Sequence, residues 1–263
     1  MYDFAYQKPT SLADAVTLLA DPEAKALAGG QTLIPVLKQR LNKPATVVDL
    51  AKLGLSGISV GPGKVTIGAT TTHVTVANSA EVAKAIPALA SLAAHIGDRA
   101  VRYRGTIGGS LANNDPSADY PSAVLALGAT IKTDKRSISA DAYFQGMFAT
   151  ALEPGEVITA VEFPIPEKAA YVKFPNPASR YAMVGVFVAR GPAGVRVAVT
   201  GAGQGGVFRH AAFEKALAAN WSPSALAGIK TPADDLNSDI HGSAAYRAHL
   251  VDVIAKRAVI AAG

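Results

Sequence analysis

A chain of 263 residues, 49% apolar and 17% charged, has a globular composition and enough length for one large core or two smaller ones. The absence of cysteine excludes disulfides, thiolate catalysis, cysteine-ligated zinc and all-cysteine iron–sulfur clusters from this chain. The mild charge of +5 comes from scattered Lys and Arg, which argues against nucleic acid as a partner. The longest apolar stretch (183–189) is too short for an integral membrane segment, and the first twenty residues do not read as a secretory signal, so a cytoplasmic protein is expected.

Ser11 is placed to cap a helix over 11–20, where Leu12, Val16 and Leu19 recur at helical spacing. Residues 25–28 form a short apolar strand that runs into Gly29-Gly30. Apolar side chains at 33, 34, 36, 37 and 41 predict a one-sided helix, and 46–50 (TVVDL) a strand. Strands at 58–60 and 64–69 are joined by Gly61-Pro62-Gly63, a hairpin signal. Helices are expected over 72–79, 88–96 and 118–127, and strands over 129–133 and 157–163. Four prolines between 164 and 177 mark the best boundary candidate. Beyond them, 181–189 and 195–200 read as antiparallel strands, followed by helices over 210–219 and 243–261.

Gly201-Ala202-Gly203-Gln204-Gly205-Gly206 fits G-x-G-x-x-G, but no Val/Ile-rich strand ending in an acid follows, so it reads as a glycine-rich turn. None of the five histidines pairs with another at metal-ligand spacing, and G-x-S-x-G is missing. No catalytic residue and no metal ligand is therefore expected.

Two glycine-rich segments remain. Ala28-Gly29-Gly30-Gln31-Thr32 lies between a strand and a helix starting near Leu33, where bare glycines and unpaired N–H groups suit a phosphate. Thr106-Ile107-Gly108-Gly109-Ser110 flanks a glycine pair with hydroxyls, and Asp119 follows, able to accept from ribose hydroxyls or to cap a helix. From the residues alone, these are two phosphate-capable loops or two turns.

Together, ALAGGQTLIPVLKQRL (26–41) and RGTIGGSLANNDPSADYPSAVLALGA (104–129) resemble the FAD-binding medium subunits of molybdenum hydroxylases, the carbon monoxide dehydrogenase and xanthine dehydrogenase family. LEPGEVITAVEFP (152–164), RYAMVGVFVA (180–189) and DIHGSAAYRAHLVDVIAKRA (239–258) extend the resemblance along nearly the whole chain. It implies an α+β protein with an FAD-binding fold of vanillyl-alcohol-oxidase (PCMH) type. Two subdomains, 1–56 and 57–168, would enclose FAD, and a C-terminal α+β domain, 171–263, would carry a small antiparallel sheet and helices.

On the same resemblance, Ala28, Gly29, Gly30, Gln31, Thr32 and Leu33, with Thr106, Ile107, Gly108, Gly109 and Ser110, wrap the FAD diphosphate. Asp119 holds the adenosine ribose, Thr159 lies near the cofactor, and Tyr181 or Met183 near the isoalloxazine. Iron–sulfur clusters are expected on a small partner subunit and the molybdenum cofactor on a large one, as a dimer of heterotrimers. This chain would pass electrons from those clusters to FAD and on to an external acceptor. A stand-alone FAD-dependent oxidoreductase of the same fold is the alternative.

Overall fold

The computed structural model describes residues 1–263. The chain begins with β1 (Ala5–Gln7), α1 (Leu12–Leu19), β2 (Ala24–Leu27), α2 (Leu33–Lys38) and β3 (Thr46–Asp49). Ser11 Oγ accepts from the Asp14 N–H and starts α1 where the sequence places it. β3 lies between β1 and β2 and is parallel to both. Ala15, Leu19, Val48 and Leu50 form a small core here, which also takes Val157 from much later in the chain. β1 has no counterpart in the sequence reading, because all three of its residues are exposed and show no apolar alternation.

Next come β4 (Ile58–Gly61), β5 (Lys64–Gly68), α3 (His73–Ala77), α4 (Ala80–Ala85), α5 (Pro87–Ala94), α6 (Arg99–Arg104), α7 (Ile107–Asn113) and α8 (Tyr120–Ala126). They are followed by β6 (Thr130–Thr133), β7 (Ser137–Ser139), α9 (Ala140–Tyr143), β8 (Phe144–Gly146), β9 (Ala149–Thr150) and β10 (Ile158–Pro164). Five of these strands form an antiparallel sheet in the order β4-β5-β10-β6-β7. Val161 and Phe163 of β10 are fully buried against Val65, Ile67 and the α5, α7 and α8 side chains. α6 and α7 are unforeseen helices, each short and each started by a side-chain cap: Asp98 Oδ1 accepts from Val101 N–H and Thr106 Oγ1 from Gly109 N–H.

The rest of the chain is β11 (Lys168–Pro175), β12 (Ala182–Gly191), β13 (Gly194–Thr200), β14 (Phe208–Arg209), α10 (Ala211–Ala219) and α11 (Ala244–Ala262), with the four strands antiparallel in sequence order. The proline-rich segment 164–177 therefore contains a strand. Pro164 and Pro175 are the last residues of β10 and β11, and Pro166 and Pro177 lie outside the strands, so the interior of the ladder keeps its donors. The 201–206 fingerprint is the turn between β13 and β14, as its lack of a following acidic strand suggests.

β12 is buried from Ala182 to Ala189 because both faces of its sheet are covered. Val184, Val186 and Val188 pack with Val251, Ile254 and Ala258 of α11, while Phe187 and Ala189 join the core beneath α8. No helix is long and apolar enough to cross a membrane. Phe187→Ala should cost about 3–5 kcal/mol. Urea denaturation should show one cooperative transition moved to lower denaturant, because that ring ties the last sheet to the preceding core.

Candidate functional site

A cleft of about 780 Å³ is lined by the loops that follow β2 and β5, by residues of the 105–119 segment and by 178–181 of the loop joining β11 to β12. Its volume is in the range of small-molecule and cofactor sites. Of the residues singled out from the sequence, Ala28, Gly29, Gly30, Gln31, Thr32, Leu33, Thr106, Gly108, Gly109, Ser110, Asp119 and Tyr181 line it. Ile107 and Thr159 do not: Ile107 is fully buried in the core, and Thr159 hydrogen-bonds from β10 to the Lys132 carbonyl at 3.2 Å. Met183, named beside Tyr181, is buried outside the cleft.

The two glycine segments touch. A Cβ on Gly29 would be driven into the Arg104 carbonyl and against Gly105, so only a bare α-carbon lets the backbones meet. Gly30 has φ +73°, a left-handed conformation that turns the chain from β2 into α2.

Their donors are disposed differently. The N–H groups of Gly29, Gly30, Gln31 and Thr32 have no acceptor in the protein. In the second segment, Ile107 N–H donates to the Thr71 carbonyl, Gly108 to Ala69, Gly109 to Thr106 Oγ1 and Ser110 to the Thr106 carbonyl. The first two bonds pin α7 to the chain just after β5, and the last two close its first turn on Thr106. What this segment still offers are the Thr106 N–H, which has no acceptor in the protein, and the hydroxyl protons of Thr106 and Ser110.

Asp119 precedes α8 without capping it. Its buried carboxylate accepts from the Tyr171 hydroxyl and, at 3.0 and 3.1 Å, from Lys173 Nζ, which also donates to the His95 carbonyl. Burial pushes the carboxyl up from its ordinary value, and the Lys173 charge and Tyr171 hydroxyl oppose that rise. These bonds take three of about four lone-pair sites, leaving one on Oδ2. Tyr181 stands half exposed at the cleft rim beside Arg180, whose φ of 62° is unusual for a residue with a side chain.

The stretch after the second segment is structural. Asn114 ends α7 in a left-handed conformation and donates through its carboxamide to the Gly146 and Ala149 carbonyls, both at 2.8 Å. Asp115 accepts from Ser117 N–H in an Asx turn. The sequence reading missed Lys25, His73, Glu156 and Arg180 on the cleft wall. Lone residues of these types carry no spacing signal, and only burial and location distinguish them.

The site is thus a long, deep cleft with a glycine loop of unengaged donors at one part and a buried carboxylate at another. That combination defines a protein that seats an extended anionic cofactor. Residues 2–166 match the family model described as the FAD binding domain in molybdopterin dehydrogenase. The chain is 37% identical to the nicotine 6-hydroxylase medium subunit of Paenarthrobacter nicotinovorans, over 98% of this chain and 96% of that one. It is 35% identical to the carbon monoxide dehydrogenase medium chain of Afipia carboxidovorans, over 97% and 95%. The solved structure of reconstituted CO dehydrogenase from Oligotropha carboxidovorans contains a chain that superposes with a TM-score of 0.90 at 34% identity, covering 99% of this chain and 98% of that one. The chain belongs to the family of FAD-binding medium subunits of molybdenum hydroxylases, and is an oxidoreductase subunit. Its residues fit FAD: the N–H groups without an acceptor belong to a loop that lines the cleft, and glycine is what lets that loop lie against Arg104 and Gly105.

Glu156 marks the cleft wall electrostatically. Its enclosed carboxylate accepts from Arg136 Nε and Nη2, Thr133 Oγ1 and Glu153 N–H. The Arg136 hydrogen bonds lead in pulling it down to about 2, from an ordinary value of 4.5. A depressed folded-state value stabilises the fold above pH 4.5, and this contribution drains away as pH falls from about 4.5 toward 2. Chemical denaturation at a series of pH values should show the stability gap between wild type and Glu156→Gln closing across that window.

Proposed function

We propose that this chain is the FAD-holding electron-transfer subunit of a cytoplasmic molybdenum hydroxylase complex, with a small iron–sulfur subunit and a large molybdenum subunit as partners in a dimer of heterotrimers. Residues 1–56 and 57–168 are the two units that hold the cofactor, and 171–263 is a third. Bound FAD supplies one- and two-electron exchange, and the task proposed for the subunit is to carry electrons from the partner's iron–sulfur clusters to an external acceptor.

The observation that carries this reading is the run of four unengaged N–H groups, Gly29 to Thr32, in a loop that lines the cleft. An anion there gains several donors at once without rearranging the loop. Thr106 and Ser110 add hydroxyls across the cleft, and the free site on Asp119 suits a ribose hydroxyl. Tyr181 shields the other end from water. No residue here is asked to be an acid, base or nucleophile, so substrate turnover falls to the molybdenum subunit. The relatives' names support the multi-subunit setting, since they are medium chains or subunits of dehydrogenases and hydroxylases.

The purified chain, reconstituted with FAD, should hold close to one flavin per polypeptide by absorbance. Gly30→Val and Gly109→Val should each weaken FAD binding at least about a hundredfold, the scale of two lost charge-assisted hydrogen bonds. A chain that stays colourless after reconstitution would sink the proposal. Oxidation of an organic substrate by the flavin-loaded chain alone, free of iron and molybdenum, would instead support a stand-alone oxidoreductase.

A further inference from the structure

His73 opens α3, and its backbone N–H donates to the Gly105 carbonyl at 2.9 Å, which fixes the residue beneath the second glycine segment. A Cβ on Gly105 would lie 2.5 Å from His73 Nε2, so the glycine is what admits the ring. The residue is only 5% exposed. Its ring faces that of Tyr120, with centroids 5.3 Å apart. Nδ1 is enclosed without a hydrogen-bond partner, and so is the Tyr120 hydroxyl. Nε2 has no partner in the protein either, but it is not enclosed; it is the ring nitrogen open to the cleft that His73 lines.

Burial, followed by the nearby Arg102 charge, pushes the imidazole down to about 4. The ring is therefore neutral near pH 7 and carries one N–H. A proton on Nδ1 would bury an orphan donor. A proton on Nε2 leaves Nδ1 as an unpaired acceptor, which buried sites tolerate better than an orphan N–H, and puts the donor on the nitrogen that is not enclosed. The second arrangement avoids a buried orphan donor, so the N–H is on the nitrogen open to the cleft.

The need for such a donor follows from the backbone. Four consecutive N–H groups, from Ile107 to Ser110, are consumed in holding α7 in place. The donors left on this side of the cleft are the Thr106 N–H, two hydroxyls and the His73 ring. We propose that His73 is a cofactor-binding side chain whose Nε2–H donates to the diphosphate of bound FAD. The inference rests on the reading of Thr106 to Ser110 as a diphosphate segment. His73 supplies a directional donor where the main chain from Ile107 to Ser110 has none left and only the Thr106 N–H is unengaged.

The full-length chain labelled with nitrogen-15 histidine tests this directly. The His73 signals should show Nε2 protonated in the free protein, and the Nε2–H resonance should move when FAD is added. His73→Leu should weaken FAD binding about ten- to a hundredfold, whereas His73→Asn, which keeps an N–H donor, should recover most of the loss. A proton on Nδ1, an Nε2 signal that ignores FAD, or wild-type FAD affinity in His73→Leu would each overturn the proposal. If His73→Leu fails to fold, the wild-type resonances decide. Gly109→Val separates the two layers. Wild-type affinity in that variant removes the diphosphate segment itself, whereas lost affinity there with retained affinity in His73→Leu removes only the role of His73.

Discussion

The cleft exists because two backbones are allowed to touch. Gly29, leaving a parallel sheet, lies against the Arg104 carbonyl and Gly105, which lead into the helix beside an antiparallel sheet. Any side chain at Gly29 would force the two segments apart. The contact also divides the labour. The second segment spends two N–H groups on the chain just after β5 and two on Thr106, and becomes a fixed wall, while the first keeps its own free for a ligand. A pair of equally engaged loops would bind nothing, and a pair of equally free ones would lack a rigid reference. Rigid placement on one side and unspent donors on the other is how preorganised sites gain affinity.

The C-terminal sheet is part of the same construction. β11 delivers Tyr171 and Lys173 to Asp119, and Gly185 on the neighbouring strand leaves the space that the Tyr171 hydroxyl occupies. The loop after β11 carries Arg180 and Tyr181 to the cleft rim. Thr200 Oγ1 and Gly201 N–H both donate to the Pro116 carbonyl, tying β13 to the loop that follows α7. The family model ends at residue 166, yet several side chains that shape the cleft come from beyond it.

Much of this was legible in the sequence, for definable reasons. Helical spacing around Leu12, Val16 and Leu19, the apolar run of β12 and the breadth of the final helix each reflect a buried face, and burial leaves a pattern. The glycine segments were visible because close approach needs glycine, and their pairing carried the family resemblance. α7 was not visible: a glycine pair argues against a helix, and the Thr106 cap that offsets it is a matter of geometry. β11 was masked by prolines that turned out to flank it. The engagement of individual N–H groups was beyond sequence reading altogether, since it depends on which carbonyl the fold brings opposite each donor. The same holds for His73, whose environment is assembled from α3, α6 and α8.

The unspent donors of the first loop have a consequence for the life of the subunit. Until flavin arrives they must be satisfied by water. A ligand that binds only the folded chain adds RT ln(1 + [L]/Kd) to its stability, about 2.7 kcal/mol at a hundredfold excess over Kd. The same donors that suit a ligand therefore tie the persistence of the fold to how much of that ligand is at hand.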